Sequence, residues 1–151
     1  MIERCLTVEH DGWLPLRIEH WPRCTSERHG FEMSTYSANP DRFAQFVAFD
    51  GARNAVGFVE VALRNDYVNG TTTSPVAFLE GIYVVPHARL KGIARALVAR
   101  AEQWAVSVGC SEFASDARLE NVASHAMHRC LGFSETDRVV YFRKGLHENV
   151  A

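Results

Sequence analysis

Phe78-Leu79-Glu80-Gly81-Ile82-Tyr83-Val84-Val85-Pro86-His87-Ala88-Arg89-Leu90-Lys91-Gly92-Ile93-Ala94 contains a strand, a loop and a helix start in one run. Its first half is apolar enough for a strand buried on both faces. Pro86 to Gly92 is a basic loop containing glycine. From there Ile93, Ala94, Leu97, Val98, Ala101, Trp104, Ala105 and Val108 recur at helical spacing, and Gly109 is a suitable stop. A helix N-terminus after such a loop leaves backbone N–H groups unpaired, and its dipole favours an anion. The backbone of Leu90, Lys91, Gly92, Ile93 and Ala94 is therefore a candidate phosphate cradle. Gly92 permits close approach, and Arg89, Lys91 and Arg95 add attraction. Glu80, in the strand just before the loop, is a candidate base.

Outward from this run, residues 1–8 read as a first strand. Asp11 is the expected cap of a helix carrying Trp13, Leu14, Leu16, Ile18 and Trp21, which Pro22 disturbs or ends. The polar stretch from Thr25 to Asn39 is ambiguous. Phe43 to Phe49 and Ala55 to Leu63 pair as a hairpin about the turn at residues 50–54. A polar loop follows from Asn65 to Pro75. Ser111 to Ser115 is a short strand, and Asn121 to Leu131 a second amphipathic helix ended by Gly132. Phe133 to Lys144 predicts two further strands. Strands and helices in mixed order predict an α/β sandwich of two or three layers.

With 151 residues, 47% of them hydrophobic, the chain is expected to form a single domain with a real core. A formal net charge of -2 gives no reason to expect nucleic acid as the main partner. The cations Arg89, Lys91, Arg95 and Arg100 nevertheless fall together, with no acid among them. No apolar run approaches the roughly 20 residues needed to span a bilayer, so no membrane partner is expected. The first residues lack a signal-peptide apolar core. Cys5, Cys24, Cys110 and Cys130 are widely spaced and read as reduced thiols of a cytoplasmic protein. His125 and His128 lie three apart on a helix, but no third ligand accompanies them, and no metal is expected.

The loop Arg89-Leu90-Lys91-Gly92-Ile93-Ala94 matches the Arg/Gln-x-x-Gly-x-Gly/Ala signature of the GCN5-related N-acetyltransferase (GNAT) superfamily, which the chain resembles over nearly its whole length. The end of the late helix, Ala126-Met127-His128-Arg129-Cys130-Leu131-Gly132-Phe133, is a second match. Within the superfamily the likeness is to aminoglycoside 6′-N-acetyltransferases. It is carried by Tyr67-Val68-Asn69-Gly70, Ser74-Pro75-Val76, Phe78 to Val84, Glu112 to Asp116 and Ser124 to Arg129.

The resemblance implies a mixed sheet of about six to seven strands flanked by about four helices. It implies acetyl-CoA as cosubstrate, its pyrophosphate on residues 89–94 and its pantetheine arm on the backbone of Ile82, Tyr83 and Val84, where an N–H can polarise the thioester. Glu80 stands where the family base does, and accepts the proton of the attacking 6′-amine, directly or through water. Many members have a tyrosine, which can protonate the leaving thiolate, where His128 stands here. Asn121 is a further cofactor contact or a helix cap. For a polycationic drug, Asp116 is the expected second carboxylate, and Trp21 and Tyr67 are candidate aromatic faces for the sugar rings. Related enzymes are often dimers, so a homodimer is expected, with the apolar strand Val139 to Phe142 as a possible edge. Two alternatives stay open: the same chemistry on a polyamine, peptide or protein amine, and a CoA-binding module without catalysis.

Overall fold

The computed structural model describes residues 1–147. Its elements are β1 (Ile2–Arg4), α1 (Trp13–His20), α2 (Ser26–Ala38), β2 (Phe43–Phe49), β3 (Ala55–Arg64), β4 (Val76–Val84), α3 (Ile93–Ser107), β5 (Phe113–Ala114) and α4 (Val122–Cys130). A single 3-10 turn, Pro86–Ala88, joins β4 to the loop before α3. The sheet order is β1-β2-β3-β4-β5. β1 to β4 are antiparallel neighbours, and β5 joins β4 in parallel. The fold is the expected mixed α/β arrangement.

The sheet separates two helical layers. On one side Phe58 of β3 meets the rings of His20 and Trp21, and the Trp13 indole reaches Glu60. On the other, Gly57 of β3 lies against Leu97 of α3. Val47, Phe58, Val59, Leu97 and Ala101 are fully enclosed between the layers. Burying such side chains stabilises by about 1.5–3 kcal/mol each for the larger ones.

Two local expectations change. α1 is capped by Gly12 rather than Asp11. Gly12 holds a φ of 82°, and a Cβ there would run into Ala55, so the chain can turn only at glycine. The ambiguous stretch before β2 is the helix α2, whose first turn is closed by the Thr25 hydroxyl accepting from the Arg28 N–H at 3.1 Å. It buries only His29 and Met33, which is why an apolar period is hard to see.

Among the described residues the sheet has five strands, not six or seven. The difference is the two strands expected between Phe133 and Lys144. Residues 134–147 belong to no helix or strand and make no backbone-to-backbone hydrogen bond among the described residues. β5 is only two residues long, so it offers little edge to pair with.

Candidate active site

β4 is irregular where it carries Glu80. Glu60 of β3 faces Gly81, but the next residue, Val61, faces Leu79. Glu80 is the extra residue of a β-bulge, a feature that re-aims a side chain. It opens into a cleft of about 640 Å³ on the α1/α2 side, lined also by Trp21, Arg23, Arg28, Glu32, Tyr36 and Glu60 among others. The carboxylate accepts a hydrogen bond of 2.8 Å from Arg64, whose guanidinium lies 3.6 Å over the Phe78 ring. Gly81 is buried under Trp21, and a Cβ on it would sit 2.5 Å from the indole. Trp21 is thus half core and half cleft wall.

A buried polar network supports that wall. Glu60 accepts from the Trp13 indole at 2.8 Å and from Arg17 at 2.6 Å. The Arg17 Nε donates to His29 Nδ1 at 3.1 Å, and its remaining nitrogen pairs with Glu32. Burial pushes the Glu60 carboxyl up, and the Arg17 charge and the two donors oppose it. Burial would lower the Arg17 guanidinium, yet Glu60 and Glu32 hold it above its ordinary value. Burial, then Arg17, pushes both His20 and His29 down. Burial, then the surrounding carboxylates, raises the Tyr36 phenol.

β4 and β5 stop pairing after Phe78 opposite Ala114. Beyond this point Ile82, Tyr83 and Val84 pair only with β3, so their other edge lines an open notch. The loop after β4 is tied back to it, because Arg89 Nε donates to the Val84 carbonyl at 2.8 Å. Leu90 and Gly92 both adopt left-handed backbone, with φ of 62° and 82°. The first backbone bond of α3 runs from the Ala96 N–H to the Gly92 carbonyl. The N–H groups of residues 90–95 have no backbone acceptor among the described residues. Free N–H groups at a helix N-terminus can bind an anion, so residues 90–95 form a candidate anion nest.

Residues 8–133 match the model of the Acetyltransferase (GNAT) family. The chain belongs to this family. It is 49% identical over 148 residues to an aminoglycoside N(6′)-acetyltransferase type 1 of Serratia marcescens, covering 97% of this chain and 99% of the relative. Among solved structures it is similar to the 6′-N-acetyltransferase AAC(6′)-Ih of Acinetobacter baumannii, with TM-score 0.91, 45% identity and coverage of 97% and 99%. It is also similar to AAC(6′)-Iy, solved with the bisubstrate analogue CoA-S-monomethyl-acetylneamine, with TM-score 0.90, 38% identity and coverage of 97% and 98%.

In this GNAT chain the expected residues fall in different places. Glu80 and Trp21 meet in the cleft, and residues 82–84 and 89–94 line the notch and the nest. Three of the expected side chains have partners within the protein. Arg95 donates to the Cys130 carbonyl at 2.8 Å, Tyr83 donates its hydroxyl to Glu19 at 3.1 Å, and Asn121 caps α4 by accepting from the Ser124 N–H. Asp116 and Tyr67 are exposed and do not line the cleft. Tyr67 is held outward because its neighbour Val68 is buried against Val76 and Phe78. His128 meets Ser115, just past β5. Among the described residues no group of three or more His, Cys, Asp or Glu can hold a metal ion, and no helix is long and apolar enough to cross a membrane.

Sequence reasoning missed Glu60, Arg64, Tyr36 and Ser115. Glu60 had a signal, being the lone charge inside the apolar run Ala55 to Leu63, and a carboxylate is seldom buried without a partner. Arg64 and Ser115 had none, since their roles come from strand register and helix placement.

Proposed function

We propose that this chain is an aminoglycoside 6′-N-acetyltransferase that uses acetyl-CoA and confers resistance to these drugs. The observation that carries it is the meeting of two features at one notch. An anion nest opens on the α3 side, and a bulged carboxylate opens into a cleft on the α1/α2 side lined by carboxylates, arginines and aromatic rings. The pyrophosphate takes the free N–H groups of residues 90–95, with Arg89 and Lys91 nearby. The pantetheine arm follows the open edge of Ile82, Tyr83 and Val84, and a backbone N–H there polarises the thioester carbonyl. Asn121 adds its free amide nitrogen, and Arg95 supports the nest from behind through Cys130.

The drug is a polycation and enters the cleft, whose lining holds Glu32, Glu60 and Glu80 beside Arg23 and Arg28; Glu80, paired among the described residues only with the half-exposed Arg64, is the carboxylate open to it. Trp21 and Tyr67 supply ring faces for the sugars. Asp116 stands two residues beyond the last β5 pairing, as Glu80 stands two beyond the last on β4, so it is in line to take a second ammonium. Glu80 accepts the proton of the 6′-amine, which attacks the thioester directly. The cytoplasm, where acetyl-CoA is made, is the site of the reaction, and the free cysteines suit it. The enzyme works as a homodimer, a reading supported by the unpaired apolar segment after α4.

The test is the initial rate of CoA release with tobramycin, spermidine and a lysine peptide. Tobramycin should be turned over fastest, and Glu80→Gln should lower that rate by about 10²-fold or more. Faster turnover of the peptide would sink the aminoglycoside reading. Normal acetyl-CoA binding with no thiol release on any amine would leave only the CoA-binding module. Cells expressing the chain should lose drug resistance with Glu80→Gln.

A further inference from the structure

Ser115 is the first residue past β5, at the point where β5 and β4 part. Its hydroxyl lies 2.7 Å from His128 Nε2. The other ring nitrogen, Nδ1, lies 2.7 Å from the Ser124 backbone carbonyl and 3.3 Å from its hydroxyl. A carbonyl oxygen only accepts, so Nδ1 carries a proton. In the neutral ring Nε2 is then the acceptor, and the Ser115 hydroxyl donates to it. The ring is held edge-on to Phe133 at 5.3 Å, and Phe133 meets Phe113 of β5 at 5.4 Å. His128 is thus fixed behind Ser115.

We infer that Ser115 hands a proton to the departing sulfur of CoA, with His128 as the proton source behind it. The inference rests on the acetyl-transfer reading above. A CoA whose pyrophosphate sits on the nest and whose arm runs from Val84 toward Ile82 brings its thioester to the vertex of the notch. Ser115 stands there on the α4 face, while Glu80 opens to the opposite face. Base and acid therefore approach the reacting carbon from two sides.

The proton balance closes. The amine nitrogen bonds to the thioester carbon and loses a proton toward Glu80. The carbon–sulfur bond breaks, and sulfur takes the Ser115 proton. For this the ring must first take a proton from solvent at Nε2, which turns the Ser115 contact round: Nε2–H then donates to the Ser115 oxygen, which takes that proton as it gives its own to sulfur, and Nδ1–H stays bonded to the Ser124 carbonyl throughout. Glu80 releases the amine proton to solvent, which balances the one taken up by His128. A thiol with a pKa near ~8.5 leaves with modest help, so the gain lies below the usual range for general acids, at about tenfold.

The experiment compares single-turnover rates of acetyl transfer to tobramycin in the wild type, Ser115→Ala, His128→Gln, the double variant and Ser115→Thr. Each loss variant should slow transfer about tenfold, the double no further, and Ser115→Thr should recover most of the rate. The dissociation constant of acetyl-CoA and the melting temperature should stay near wild type. An unimpaired Ser115→Ala, multiplying losses in the double, or a loss seen only in acetyl-CoA binding would overturn the relay. So would an acetyl group found on Ser115 in quenched wild type, because a serine donating to a neutral imidazole is also the arrangement of a nucleophile. A wild type inactive on every amine would fail the acetyl-transfer reading and the relay with it. An active wild type beside an unimpaired Ser115→Ala would fail the relay alone.

Discussion

On the proposed role of Glu80, Arg64 is the residue that a substrate ammonium must contend with there. It donates to the carboxylate at 2.8 Å and is braced on the Phe78 ring. A cationic acceptor therefore meets a carboxylate that already has a counter-charge. The pair is partly exposed, so its coupling is worth only about 0.2–1 kcal/mol. Arg64→Leu should accordingly lower the KM for tobramycin by about twofold to fivefold, measured at saturating acetyl-CoA. A higher KM would mean that Arg64 orients the base rather than competing for it. Glu80 was legible as a candidate, because a carboxylate in the strand that leads into a basic, glycine-containing loop and a helix start is a local pattern. Its bulge was not, since it exists only as a slip in register against β3, a strand begun some twenty residues earlier.

At the scale of elements, the acceptor cleft depends on how α1 and α2 are fastened to the sheet. Arg17 does this by joining Glu60 of β3, Glu32 and His29. His29 is buried and accepts from Arg17 through Nδ1, so protonating that nitrogen would oppose two donors. Its folded pKa is lowered, first by burial and then by the Arg17 charge. Over the window between that lowered value and the unfolded value near 6.5, the unfolded chain binds more protons. Stability is therefore intact above about pH 6.5 and falls as pH drops through the window. His20 is shifted in the same direction, for the same reasons. The melting temperature should decline from pH 7.5 to 5.5, and His29→Gln should make that decline shallower. An equal slope in the variant would show that His29 is not a proton-linked group. Elements with a strong local signal, such as the nest and α3, were readable from sequence. α2 was not, because its fastening is polar and its partners lie on β3 and α1.

For the whole molecule, the decisive segment is the one after α4. Val139, Val140, Tyr141, Phe142 and Leu146 are all exposed, Phe142 at 93%. Their strand-like pattern was legible, and yet residues 134–147 find no backbone partner among the described residues. An apolar segment whose backbone groups find no backbone partner among the described residues offers a template for strand addition, and a second copy carries the same template. The segment starts against the acceptor loop, since a Cβ on Gly70 would collide with Thr136. Ordering it in a dimer should therefore also steady the loop that presents Tyr67. The wild type is expected to run as a dimer in light scattering after size exclusion at about 10 µM, a Kd range that a standard interface readily reaches. Val140→Asp with Phe142→Asp should yield a monomer. It should also raise the KM for tobramycin while leaving that for acetyl-CoA unchanged, because the nest lies in the loop before α3 and does not depend on this segment. A monomeric wild type would remove the dimer from the proposal. A monomeric variant with an unaltered KM for tobramycin would separate assembly from the acceptor loop.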